Sequence, residues 1–195
     1  MAVIVEPRNL TAGPGELWRG LVGATEPEDE DISMELDETD VAAEWEGMGA
    51  TNDGIILNIA LEYFELEIDQ AIDHVERRAT SRDVSVATNL AELTLENLRT
   101  AQNGGTVSEG AGYKSYEPAT GRDVTQPTYS AYLLECFGPA SQRRRVTIRR
   151  TINTAEVSTS YAKDGQALYP VELHGHFVAN NVPPYRVVEE YTLAS

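Results

Sequence analysis

Apolar side chains recur at two-residue spacing along much of this chain, so strands dominate the elements it predicts. The most informative stretch is "EWEGMGATNDGIILNIALEYFELEIDQ". Asn52-Asp53-Gly54 is a turn signal. After it, Ile55, Leu57, Ile59, Leu61 and Tyr63 fall on one strand face, and Asn58, Ala60 and Glu62 on the other. Then the parity changes. Phe64, Leu66 and Ile68 become the apolar set, and Glu65, Glu67 and Asp69 the polar set. A period of two cannot flip without a bulge, a sharp bend or a change of partner. Either one domain holds a bulge here, or the strand serves both its own core and a neighbouring subunit.

The stretch "TNLAELTLENLRTAQNGG" predicts a single amphipathic helix of about four turns. Asn89 is placed as its cap, Glu92 as the capping-box partner and Gly104-Gly105 as its stop. Five glycines and two prolines between 104 and 128 predict loop. Residues 129–137, "YSAYLLECF", are apolar on both faces, as a central strand would be. In "RRRVTIRRTI", Val146, Ile148 and Ile152 are expected inward, and Arg145, Thr147, Arg149 and Thr151 outward. Arg150 breaks the inward row and must reach solvent or a carboxylate. "VELHGHFV" places Val171, Leu173 and Phe177 on one face, and Glu172, His174 and His176 on the other. Pro183-Pro184 precedes a last strand near 186–193. The expected fold is mainly β with one α-helix, in two packed antiparallel sheets forming a sandwich or small barrel.

Length and charge refine this picture. A chain of 195 residues suits one domain with a real core. Residues 1–25 read as an extended arm, with β-formers Val3, Ile4 and Val5 and a turn at Gly13-Pro14-Gly15. The net charge is −17, and residues 26–46 hold eleven acids and no base. The rest of the chain therefore sums to only −6. Such a run resists burial, so 26–46 is expected to be a mobile acidic loop, ordered by a partner. An acidic chain does not seek nucleic acid, but it can handle it by repulsion. Cys136 is the only cysteine, which excludes an intrachain disulfide framework. The start lacks a basic leader, and no stretch approaches the roughly 18 apolar residues of a membrane span. Folding in a cytoplasm, with no membrane partner, is the expectation.

Catalytic chemistry is not signalled. His174 and His176 have the spacing of two metal ligands, but His74 is far off in sequence and no Cys lies nearby, so exposed or rim histidines on a polar strand face fit better and no metal is expected. Cys136 sits in the most apolar strand and reads as a buried, inert thiol. There is no nucleophile elbow, phosphate loop or dinucleotide fingerprint, so neither an enzyme nor a cofactor is expected. The one basic cluster is Arg143, Arg144, Arg145, Arg149 and Arg150. It lacks the interleaved aromatics of a nucleic-acid reader. It reads either as a solvated face or as an intersubunit dock for the acidic run of another copy.

"WEGMGATNDGIILNI" and "NLAELTLENLRTAQNGG" resemble the major tail tube proteins of long-tailed bacteriophages, across roughly residues 45–105. The resemblance implies two antiparallel sheets flanked by a helix, in a subunit of the phage tail-tube type. Six copies would form a ring, stacked rings a hollow tube, and strands of all copies a continuous barrel around a lumen. The genome would pass through that lumen without specific binding. Implied partners are further copies of the chain and the tape-measure, tail-terminator and baseplate or tail-tip proteins. The implied location is the virion, after assembly in the host cytoplasm. On this reading Glu62, Glu65, Glu67 and Asp69 are candidates to line the lumen and repel phosphates. Glu28, Asp29, Glu30, Asp31, Glu35, Asp37, Glu38 and Asp40 would order between rings against the arginine cluster. The alternative is a related β-sandwich binding module that forms a single ring or stays monomeric.

Overall fold

The computed structural model of the chain describes residues 11, 13–29, 44–69 and 72–191. The fold is mainly β, as expected, and consistent with a β-sandwich. Eight strands form one antiparallel sheet: β1 (Glu16–Leu21), β2 (Trp45–Gly47), β3 (Thr51–Leu66), β4 (Glu76–Leu90), β7 (Ser130–Phe137), β8 (Arg143–Asn153), β9 (Tyr169–Gly175) and β10 (Tyr185–Glu189). Their order is β2-β1-β7-β8-β9-β4-β3, with β10 paired to the first half of β8. A small hairpin, β5 (Thr106–Gly110) and β6 (Tyr113–Glu117), makes a second sheet.

One face of the large sheet makes the core. Leu17, Val84, Val86, Leu134, Val146, Ile148 and Leu173 meet there from five strands, none more than 5% exposed. The sheet curls around this face. A Cβ placed at Gly15, just before β1, would lie 3.4 Å from Ile55 Cδ1 on β3, although those strands stand near opposite ends of the order. The other face is also covered. Trp45, Ala131 and Leu133 are buried together with Trp18 alongside. Gly20 is required there, because a Cβ would stand 2.8 Å from the Trp45 ring.

Several sequence expectations change. Residues 16–21 are not part of an arm: β1 sits between β2 and β7. Residues 1–10 lie outside the described residues. Asn52-Asp53-Gly54 is not a turn before the strand but an irregularity within it, with Asp53 and Gly54 at positive φ. Among the described residues there are two α-helices, α1 (Leu95–Ala101) and the single turn α2 (Arg122–Thr125). Asn89 and Leu90 do not start α1; both pair across β4 with β3 and β9. Thr94 caps the helix instead, its hydroxyl accepting from the Asn97 N–H at 3.1 Å. Glu92 turns away to accept from the Ala50 N–H at 3.0 Å. The stretch 104–128 is not mostly loop, since it holds β5, β6 and α2. Phe177 falls beyond β9 and is exposed rather than inward.

Strand β8 differs most. Arg145 and Thr147, expected outward, are buried, because residues 24–29 cross that face. Pro27 is buried there. Past Ile148 the β7–β8 register shifts, so Thr151 is buried on the opposite, core side and Ile152, expected inward, is only half-buried. Arg145 Nε donates to Glu135 at 2.7 Å, directly across the β7–β8 ladder, and both side chains are almost wholly buried. Arg145 also donates to the Glu28 carbonyl at 3.3 Å. The end of β8 is held by side chains that imitate backbone. Asn153 donates to the Ala101 carbonyl and accepts from the Glu172 N–H, each at 2.7 Å. Asn103 bonds both backbone groups of Asn153 at 2.6 Å. This network fixes α1 against the β8–β9 end of the sheet.

Candidate assembly surface

The β3–β4 hairpin is the longest feature of the molecule. Its 16-residue strand β3 spans about 50 Å at 3.3 Å per residue. Only its base is packed: Ile55 and Leu57 reach the core, opposite Val86. β4 pairs with β9 from Ser85 to Leu90 and no further. Past Arg82 and the still-buried Val84 the hairpin leaves the body with two open edges. Among the described residues, the outer edge of β3 and the edge of β4 before Ser85 have no strand partner.

This outer half is apolar on both faces. Ile59, Leu61 and Tyr63 continue the core-side face and are 47%, 48% and 54% exposed. Phe64, 58% exposed, and Leu66 lie on the opposite face. The change of apolar parity seen in the sequence falls at a register shift between Glu62 and Tyr63, where Thr80 of β4 is the extra residue. The bulge lies on β4, so β3 alternates on and carries its apolar set across to the other side. A two-stranded hairpin is marginal alone in water. A long apolar strand with an open edge is a template for pairing unless covered.

The candidate charged residues are distributed unevenly over this surface. Glu62 accepts from the Ser81 hydroxyl at 2.8 Å on one face. Glu65 lies on the other, ion-paired to Arg77 at 2.8 Å. Glu67 shares that side, 3.2 Å from His74. Asp69 follows in the turn beyond the strand. A wall made of one hairpin face would thus carry Glu62 or the Glu65–Glu67 pair, not both. Residues 62–83 hold seven acids against three arginines, so the hairpin end is net −4.

The arginine cluster is largely engaged within its own chain. Arg149 Nε donates to Glu26 at 2.5 Å. Arg144 pairs with Glu189. Arg150 stands 3.8 Å over the Tyr129 ring and donates to the Phe177 carbonyl at 2.7 Å. At Arg143 it is the backbone N–H, not the guanidinium, that donates to Glu190 at 3.1 Å. Arg186, from β10, completes the dock by pairing with Asp29 at 2.5 Å. The acidic run therefore meets the basic strand at Glu26 and Glu28, and β10 at Asp29, all within the same chain. Glu30, Asp31, Glu35, Asp37, Glu38 and Asp40 lie outside the described residues. His174 and His176 do not converge: His176 Nδ1 faces the His174 carbonyl at 2.9 Å and its ring packs edge-on to Tyr129. Cys136 is half-buried, and burial pushes its thiol pKa up, which leaves it a poor nucleophile. Sequence reasoning missed Arg186 and Asn153, because neither stands in a pattern that distinguishes it from an exposed polar residue.

In comparisons with known proteins, no family model and no curated protein matches this chain. No helix among the described residues is long and apolar enough to cross a membrane.

Proposed function

We propose that this protein is a self-assembling structural subunit that completes its sheet by pairing with further copies, in the manner of a phage tail tube. One observation carries the reading. The outer half of the β3–β4 hairpin offers open edges and apolar side chains on both faces, far from the core of its own chain. An edge that pairs with a different edge of the next copy gives a heterologous contact, which closes into a ring when the rotation allows. Stacked rings then make a hollow tube, and the resemblance at residues 45–105 implies rings of six copies and DNA as the cargo. The excess of acids on the hairpin suits a channel that phosphates must traverse without sticking, since like charges repel across a Debye length of about 8 Å at physiological salt.

Electron microscopy of the concentrated, purified protein tests this. Rods with a stain-filled centre are the expected result. Isolated rings that never stack favour the narrower ring-forming module, and strictly monomeric particles at every concentration reject self-assembly.

A further inference from the structure

The free end of the hairpin gathers an imidazole and two carboxylates. His74, on the returning arm, faces two carboxylates at once. Its Nε2 lies 3.3 Å from Glu65 Oε2 and its Nδ1 lies 3.2 Å from Glu67 Oε1. A neutral imidazole has one N–H, so only one of these contacts can be a hydrogen bond. The second nitrogen then turns its lone pair toward a carboxylate, a repulsion that either a second ring proton or a bound metal ion relieves. One donor atom from each of the three residues lies within 4.8 Å of the others. Donors on a tetrahedral ion with bonds near 2.1 Å stand about 3.4 Å apart, and these exposed side chains have room to close that gap. Glu65 is already oriented for it: Oε1 is held by Arg77 at 2.8 Å, while Oε2 faces the histidine. Such a hydrogen-bonded partner commonly orients a ligating carboxylate. No other trio among the described residues converges in this way. His174 is also flanked by two acids, Asp83 at 3.1 Å and Glu172 at 3.3 Å, but the three do not gather around one point.

We propose that Glu65, Glu67 and His74 form a surface site for a borderline divalent transition cation of the Zn2+ class, which pins the two arms of the hairpin at its free end. One imidazole and two carboxylates suit Zn2+ better than Mg2+ or Ca2+, which prefer all-oxygen sets, and leave a fourth position for water. The site is complete within one chain, so it stands whether or not the protein assembles.

The test is calorimetric titration of metal-free, unassembled protein with Zn2+, together with NMR of the imidazole signals. The chain has three histidines, so each ring can be followed. One Zn2+ per chain is expected, with the spectral change confined to the His74 ring. Binding should weaken at least about tenfold in His74→Ala and in Glu67→Gln, since losing even a supporting partner commonly costs that much. It should be unchanged in His174→Gln and resist a tenfold excess of Mg2+. Circular dichroism checks that each variant is folded. Absence of a stoichiometric step, a step that survives His74→Ala, or displacement by Mg2+ overturns the proposal; signals that respond to protons but not to Zn2+ assign the bracketed ring to an imidazolium instead.

Discussion

The buried pair between Glu135 and Arg145 should respond unequally to the loss of either partner. Both side chains are nearly inaccessible, at 1% and 2% exposure, and they stand directly opposite each other on β7 and β8. Burial pushes the Glu135 carboxyl above its ordinary 4.5, opposed by the Arg145 hydrogen bond and charge. The native state thus holds this proton more tightly than the unfolded chain does. The contribution of Glu135 to stability is fully present below pH 4.5 and is lost as pH rises through the raised value. Glu135→Leu leaves a guanidinium that cannot shed its proton, and breaking such a pair costs about 3–5 kcal/mol. Arg145→Met removes the two largest influences that hold the carboxyl down, leaving only the more distant Arg143 charge, so Glu135 can take a proton. Its cost near pH 7.5 falls in the same range, but it should shrink by up to about 1.4 kcal/mol for each pH unit on going down to pH 5. The double variant Glu135→Leu, Arg145→Met should lie within about 1–2 kcal/mol of the parent, or above it. Urea unfolding followed by circular dichroism, at both pH values, gives the four stabilities. Single variants that each cost under about 1 kcal/mol, or an Arg145→Met cost that ignores pH, would refute a desolvated pair.

Four further variants probe the frame and the surface. Asn153→Ala strips the Ala101 carbonyl and the Glu172 N–H of their partner inside the fold, so chemical unfolding should show a loss on the order of 2–4 kcal/mol. Thr94→Ala removes the helix cap and should cost about 1 kcal/mol, read as a lower thermal midpoint with no change in assembly. Glu62→Lys and the pair Glu65→Lys, Glu67→Lys change opposite hairpin faces. Both should permit rods, and only the set that faces the channel should slow genome ejection; unchanged kinetics in both would count against an electrostatic wall.

Much of the sheet was legible because one face of a strand is read from alternation alone. Residues 129–137 carry apolar side chains on both faces, and β7 is central. The parity change at Tyr63 and Phe64 marked a register shift, but sequence could not tell that the extra residue, Thr80, belongs to the partner strand. The helix boundary failed for a tertiary reason. Asn89 and Glu92 have capping-box spacing, yet Leu90 gains full burial by continuing the ladder, and Glu92 serves a distant N–H at Ala50. Arg145 looked like a solvated strand residue because nothing local reveals that residues 24–29 cover it. The acidic run and the arginine strand were each visible as charge. Their meeting at Glu26 and Arg149 joins positions more than a hundred residues apart.

Hydrogen exchange on the amides of residues 58–66, in dispersed and assembled protein, tests most directly whether copies share a sheet at this hairpin. Alternate amides along the open edge of β3 should exchange freely in the monomer and become strongly protected in rods. Rods whose edge amides still exchange at the monomer rate would mean that the copies join through some other surface.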